Sequence, residues 1–305
     1  MKTKKEFVII AILAVVLIAY LSLRKTDRTE YTLPAISPLA AEDITKIEMD
    51  GPNGTIVLEK RENAWHLMPI DRPADAVKVG ALTQALAKLE LTALVSESGN
   101  LERYDLTPEK RIRVRAWAKS ELKRDIDLGK TAPTYQHTFV KLPDSLRVYH
   151  ARTNLRSQFE GKAEDFRYKA VFAFQQADVT RISLTMDGKT QVFTKETTPS
   201  PEKDKPSQSV WKSGEKSADH QKIDQMLTSL ATLRCEKFFE PGHALPSGKP
   251  ILEVTIEGKA PETLHVFDRV QPTDTTYPAT ATGQQDAFTL PGWKIDQWKK
   301  DWAGL

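Results

Sequence analysis

The string most suggestive of nucleotide chemistry is Gly129-Lys130-Thr131, which resembles the end of a P-loop. The full motif requires another glycine five positions before the second one, and Arg124 stands there instead. Ala132-Pro133 follows the triplet and does not favour the helix that a P-loop opens. The sequence therefore favours a turn at the end of a strand over a nucleotide site.

Two histidines are the next candidates, because they flank one turn. His137 and His150 lie on either side of Pro143-Asp144-Ser145, so a hairpin would bring them together. Zinc requires a third and a fourth ligand, and no Cys/His cluster supplies them. We interpret them as half-buried strand histidines and predict no metal site.

A pair of carboxylates, Asp125 and Asp127, has the spacing that places both on one face of a strand. Two facing carboxylates could serve glycan hydrolysis. Such pairs are more often part of a solvated strand face, and we interpret them in this way. We assign no catalytic residue and no cofactor.

The lone cysteine, Cys235, follows the apolar stripe of a predicted helix. A nucleophilic cysteine requires a histidine base, and the sequence identifies none for it. We predict a buried, unreactive thiol, because free cysteines behave as small hydrophobic residues.

Tryptophans could stack on sugars, but their positions favour packing. Trp65 and Trp211 occupy equivalent places in an internal repeat, which predicts core positions. Trp298 and Trp302 are four residues apart and share one face of a terminal helix. We expect them to pack on the second unit, and the alternative is that they form an interaction surface for a partner.

An internal repeat must position all of these residues. Asp43-Ile44-Thr45-Lys46-Ile47 returns as Asp178-Val179-Thr180-Arg181-Ile182, and each copy continues to an Asp-Gly pair typical of a hairpin turn. The strands around Val114 and Val254 correspond as well. The copies differ at residues 196–210, a polar, proline-containing stretch that we interpret as an inserted hairpin loop.

One amphipathic helix is predicted in each copy, with apolar residues at helical spacing behind Asp75 and Asp219. These apolar residues are Val79, Leu82, Leu86 and Leu89 in the first copy, and Ile223, Met226, Leu230 and Leu233 in the second. We therefore predict an α+β fold of two tandem similar units, each an antiparallel sheet with one main helix. The predicted boundaries are 43–175 and 178–305.

The run from Phe7 to Leu23 contains no charged residue and predicts a transmembrane helix, with residues such as Leu13 and Leu17 facing lipid. A cleaved signal peptide is the alternative, but no A-x-A-like site follows the apolar core. We assign residues 1–30 to the anchor and its flanks, and 31–42 to a stalk.

The charge distribution argues against nucleic-acid binding. The formal net charge is +3, and the first 30 residues account for all of it, so the body is balanced. Basic residues flank both ends of the anchor, so they do not decide its orientation. The short N-terminal tail favours a body outside the cytoplasm, which in a bacterium means a single-pass inner-membrane protein with its body in the periplasm.

The stretches ITKIEMDGPNGTIVLEKRENAWHL, LERYDLTP and LGKTAPTYQHTFVKL resemble a bacterial family of domains of unknown function, number 4340. Asp105 stands where the family's turn commonly has glycine. The resemblance implies a membrane-anchored extracytoplasmic protein, often encoded beside ABC transporter components of the gliding-motility type. It implies no catalytic residues.

These observations predict a protein that binds rather than catalyses. We expect an accessory or scaffold protein of an envelope or ABC-transporter-associated complex, with integral membrane proteins as partners. The alternative is a cell-wall glycan-binding or glycan-processing protein.

Overall fold

The structure is a computed structural model that describes residues 12–20, 31–198, 208–240, 242 and 248–302. It is α+β, as the sequence predicts, and it contains two antiparallel sheets of nine strands each. The helices are α1 (residues 12–20), α2 (Ala76–Ala87), α3 (Arg156–Phe159), α4 (His220–Ala231) and α5 (Gly292–Trp302).

The strands of the first sheet are β1 (Ile44–Gly51), β2 (Gly54–Arg61), β3 (Ala64–Met68), β4 (Arg72–Pro73), β5 (Leu91–Ser96), β6 (Ile112–Ala118), β7 (Glu121–Thr131), β8 (His137–Lys141) and β9 (Val148–Arg152). Those of the second are β10 (Arg181–Met186), β11 (Lys189–Thr198), β12 (Gln208–Ser213), β13 (Lys216–Ser217), β14 (Lys237–Phe238), β15 (Leu252–Glu257), β16 (Glu262–Val266), β17 (Thr276–Ala281) and β18 (Phe288–Pro291).

The two sheets repeat one topology. In the first sheet, neighbouring strands run β1-β6-β7-β8-β9-β5, and in the second they run β10-β15-β16-β17-β18-β14. The hairpin strands β2-β3-β4 are matched in the same way by β11-β12-β13. The internal repeat in the sequence is therefore a repeat of structure.

The chain also divides into two compact units, each built from separated segments. One contains Met1–Gly54 and Ala81–Glu160, and the other contains Thr55–Gly80 and Gly161–Leu305. The second unit thus includes residues 55–80, which precede the second sequence repeat. The tandem boundaries at 43–175 and 178–305 remain a prediction.

The first hairpin of each copy turns at a different place. Asp187 and Gly188 both have positive φ and form the two-residue turn between β10 and β11, as predicted. In the first copy, β1 includes Asp50 and Gly51, and the turn falls on Pro52 and Asn53 before Gly54. Proline suits a turn position because its φ is fixed and it has no N–H for a ladder.

The predicted apolar stripes of α2 and α4 are buried. Asp219 is the N-cap of α4, and its carboxylate accepts from the Gln221 and Lys222 N–H groups at 3.0 and 3.2 Å. Asp75 accepts from the Val77 and Lys78 N–H groups at 3.1 and 3.3 Å. These aspartates stabilise the helices as caps just before the first turn.

Equivalent backbone hydrogen bonds link strand and helix in both copies. The Ala74 N–H donates to the Trp65 carbonyl at 2.8 Å, and the Ala218 N–H donates to the Trp211 carbonyl at 2.8 Å. Trp211 is fully buried as predicted, whereas Trp65 is only half-buried. The two tryptophans are therefore equivalent in the backbone but not in packing.

The segment predicted to be a stalk, residues 31–42, has no helix or strand before a 3-10 turn at Ala41–Asp43. The Ser37 carbonyl accepts from the buried Arg124 guanidinium at 2.7 Å. Arg124 also donates to the Leu86 carbonyl at 3.1 Å, near the C-terminal end of α2, where a cation is favourable. Arg124 therefore fastens part of this segment to the first unit.

The predicted anchor is only partly within the described residues. Leu13 and Leu17 lie in α1 with exposed side chains, and Phe7 and Leu23 lie outside the described residues. Of the helices in the described part of the chain, none has the length and apolarity required to span a membrane.

Candidate functional site

A cavity of about 320 Å³ in the first unit is the candidate site. We call it the charged pocket. It is lined by Leu101, Leu106, Pro108, Arg111, Arg113, Asp125, Asp127, Lys141, Pro143 and Asp144.

The floor of the charged pocket is one face of β6, β7 and β8. In β6, buried Ile112 and Val114 alternate with the partly exposed Arg113, so the arginine faces away from the apolar core. Strand pairing places Arg113 opposite Asp127, and Asp127 opposite Lys141. Charged side chains of three adjacent strands therefore meet.

Ion pairs connect these side chains. Arg113 binds Asp125 with two hydrogen bonds, Nε to Oδ1 at 2.9 Å and Nη2 to Oδ2 at 2.7 Å. Asp127 accepts from Lys141 Nζ at 2.9 Å and from Arg111 through its other oxygen. The hydrogen bond with Asp125 raises the pKa of Arg113, despite the opposing effect of burial. Each carboxylate is thus held by at least one cation.

One wall of the charged pocket depends on Gly129. A Cβ at this position would lie 2.2 Å from the Tyr104 carbonyl oxygen and 2.9 Å from Leu106 Cγ. The chain from Leu101 to Pro108 therefore passes so close to β7 that only glycine fits. The Gly-Lys-Thr triplet forms the last three residues of β7, so it lies at a strand end as predicted, but it belongs to the strand and not to a turn.

The structure changes the interpretation of the aspartate pair. Asp125 and Asp127 share a face, as predicted, but Asp127 is buried and both are ion-paired, so the solvated strand face is wrong. Arg111, Arg113 and Lys141 were not predicted as site residues from the sequence. The alternation in Lys-Arg-Ile-Arg-Val-Arg beside Asp-Ile-Asp is the signal that could have found the arginines.

The histidine pair forms, but as an aromatic contact. The rings of His137 and His150 stack with centroids 5.2 Å apart, and Phe139 lies 4.9 Å from His150. Burial, and then the neighbouring His137, lower the pKa of His150. No group of three or more His, Cys, Asp or Glu side chains is arranged for a metal among the residues that the structure describes.

Cys235 is buried in the second unit, and its burial raises the pKa of the thiol to about 12. Because the thiolate is the reactive form, we expect iodoacetamide at pH 8 to modify the native chain about 100-fold or more slowly than the unfolded chain. Mass spectrometry of samples labelled with and without concentrated urea measures this ratio. Equal rates in the two samples would contradict the burial of this thiol.

Trp298 and Trp302 lie in the core of the second unit, where their rings stack with centroids 4.5 Å apart. Only 3% and 4% of these residues is exposed, so the structure places them in packing rather than on a surface. Trp298 Nε1 donates to Ser229 Oγ at 2.9 Å. The neighbouring Trp293 is 72% exposed.

We expect Trp298→Phe to lower the free energy of unfolding by about 2–3 kcal/mol, because it removes this hydrogen bond and leaves a cavity in place of the second ring of the indole. Trp293→Phe is the matched control and should change stability by less than about 0.5 kcal/mol. Chemical denaturation of both variants tests the prediction. An unchanged midpoint for Trp298→Phe would contradict it.

A buried ionic cluster in the second unit surrounds Asp286. Arg72 binds this carboxylate through Nε at 2.6 Å and Nη2 at 2.9 Å, and Arg167 Nη2 binds it at 2.9 Å. The Arg167 guanidinium also lies 3.6 Å from the ring centroid of Phe238. Hydrogen bonds from Arg72, and then from Arg167, hold the pKa of Asp286 below its usual range despite burial. We assign this cluster to stability, because Arg167 Nη1 also lies 3.9 Å from a Glu164 oxygen, so that two cations meet two carboxylates.

Comparison with known proteins identifies one family. The family model described as Domain of unknown function (DUF4340) matches residues 65–250, which is more than half of the chain. No curated protein and no solved structure matches the chain.

Proposed function

Since the chain belongs to the family described as Domain of unknown function (DUF4340), we propose its function from its own residues: it is a membrane-anchored extracytoplasmic accessory or scaffold protein that binds rather than catalyses. Its partners are integral membrane proteins of an envelope complex, such as ABC transporter components. The body is on the periplasmic side of a bacterial inner membrane.

The ion pairing of Asp125 and Asp127 is the observation that favours binding over catalysis. Glycoside hydrolysis uses one carboxyl group as an acid and another as a base or nucleophile. Here Asp125 is bound by both donors of the Arg113 fork, and Asp127 is shared by Arg111 and Lys141. The oxygens of both carboxylates are therefore engaged by cations rather than open to a glycosidic bond.

The composition of the charged pocket also disfavours the glycan alternative. Sugar sites commonly present aromatic rings, and the residues that line this pocket include none. Trp211, Trp298 and Trp302 have their rings in the core. Within the part of the chain that the structure describes, the aspartate pair is therefore not combined with a stacking surface.

The N-terminal apolar run supports the proposed anchor. The α1 side chains that the structure describes are mainly large aliphatic groups and are exposed, including Leu13 and Leu17. Exposed apolar side chains in a continuous row are stabilised by lipid, not by water. The absence of charge from Phe7 to Leu23 is consistent with this environment.

Membrane fractionation tests the anchor. The intact chain should stay with membranes after carbonate extraction, and Leu13→Arg with Leu17→Arg should release it, since each arginine costs about 3 kcal/mol near the bilayer centre. Leu146→Arg, at an exposed position of the body, should leave the distribution unchanged. Recovery of the unaltered chain in the soluble fraction would refute the anchor.

Purification in a mild detergent tests the scaffold function. We expect the intact chain to co-purify with specific integral membrane proteins, which mass spectrometry identifies. A chain that stays in the membrane but brings no membrane protein with it would refute this function while leaving the anchor intact.

A further inference from the structure

The second copy of the fold shows that the charges of the pocket are not needed for strand pairing. The pair Arg113 and Asp127 in β6 and β7 corresponds by register to Glu253 and His265 in β15 and β16. Glu253 and His265 form a partly exposed contact at 3.4 Å. The same pairing thus forms without the arginine or the buried aspartate.

The neighbouring cross-strand pair of the same two strands is uncharged in the second copy. Arg115 and Asp125 in the first sheet correspond to Thr255 and Thr263 in the second, whose hydroxyl groups hydrogen bond at 3.1 Å. Burying ion pairs has a desolvation cost that the pairs do not always recover. Charges that the topology does not require, gathered around a cavity, are expected at a functional site.

The charges on the floor do not balance. Three cations and two carboxylates line it, and the third acidic side chain of the lining, Asp144, is exposed in a turn at the rim. Asp127 has two oxygens, which Arg111 and Lys141 occupy with one nitrogen each. A guanidinium carries five N–H donors and an ammonium three, so both cations keep donors that Asp127 does not take.

The walls add apolar surface to this positive floor. Leu101, Leu106 and Pro108 lie on one wall, and Pro143 lies beside Asp144 on the other. At about 320 Å³, the pocket is near the small end of the range for ligand sites. It therefore suits a compact molecule with one anionic group and an apolar body.

We propose that the charged pocket binds a small organic monocarboxylate, whose carboxylate contacts Arg111 and Lys141 and whose apolar part lies against Leu106, Pro108 and Pro143. A dianion is disfavoured because its second charge would lie near Asp144. The proposal goes beyond the scaffold function and does not depend on it, because ligand binding requires neither the anchor nor a partner.

Calorimetric titration of the full chain in a nonionic detergent tests the proposal, with hexanoate as probe and detergent alone as blank. We expect a dissociation constant in the millimolar range or tighter for hexanoate, weaker binding of glutarate, and no binding of hexylammonium. Lys141→Gln should weaken hexanoate binding about tenfold or more, since it removes a charged donor. Arg152→Gln, in an exposed ion pair with Glu90, is the matched control and should bind like the unaltered chain.

A second variant keeps the test decisive if Lys141→Gln does not fold. Asp144→Asn changes only an exposed side chain at positive φ, which asparagine tolerates. It should strengthen glutarate binding by up to about fivefold and leave hexanoate binding nearly unchanged. The proposal fails if hexanoate does not bind, if a folded Lys141→Gln binds it as tightly as the unaltered chain, or if Asp144→Asn leaves glutarate binding unchanged.

Discussion

Gly129→Ala is expected to lower the free energy of unfolding by about 3 kcal/mol, the upper part of the range for overpacking. The new methyl carbon would lie 2.2 Å from the Tyr104 carbonyl oxygen, and a backbone atom cannot rotate away as a side chain can. Either β7 or the Leu101–Pro108 segment must move. Urea denaturation of the two proteins measures the loss.

Gly80→Ala is the matched control, because the same substitution there meets no atom within 4 Å. Gly80 lies within α2, where replacement by alanine is expected to raise the free energy of unfolding by about 0.5–1 kcal/mol. Gly129→Ala should therefore lower the free energy of unfolding, and Gly80→Ala should raise it. Equal stability of Gly129→Ala and the unaltered chain would show that the close approach is wrong.

Asp286→Asn is expected to lower the free energy of unfolding by about 3–5 kcal/mol, which is the range observed when one partner of a buried ion pair is removed. The substitution keeps the shape of the side chain but leaves the Arg72 and Arg167 guanidinium groups without a buried counter-charge. Glu257→Gln, which breaks an exposed pair with Arg181, should cost less than about 1 kcal/mol. Similar losses for both variants would contradict the role of the cluster.

The effect of Asp286→Asn should also depend on pH. Because the folded-state pKa of Asp286 is lowered, the stabilising effect of its charge is fully present above the unfolded-state pKa, about 4. It is lost as the pH falls through the lower folded-state pKa. Urea denaturation at several pH values should therefore show the two proteins converging below pH 4. A constant difference down to strongly acidic pH would refute this assignment.

Local patterns were sufficient to predict much of the fold. The apolar stripes behind Asp75 and Asp219 identified both helices because burial on one helical face repeats at a fixed spacing. The alternation around Val114 and Val254 identified β6 and β15 for the same kind of reason. The duplication then predicted two similar units, and the two sheets do share one strand order.

The charged pocket was not predictable in the same way, because it depends on strand register. Arg113 and Asp125 are close in sequence, but Lys141 reaches Asp127 only because β8 pairs with β7. The close approach of the Tyr104 backbone to Gly129 is a further long-range contact, and no local sequence pattern predicts it. The sequence showed the charges but not the cavity that they surround.

The ionic cluster around Asp286 can form only late in the synthesis of the chain. Arg72 and Asp286 are separated by 214 positions in the chain. At a synthesis rate of about 5–20 residues per second, Asp286 is added to the chain about 10–40 s after Arg72. Until then Arg72 and Arg167 lack the carboxylate that binds both of them. A nascent chain stalled before residue 286 should therefore be more sensitive to protease in this unit than the finished protein.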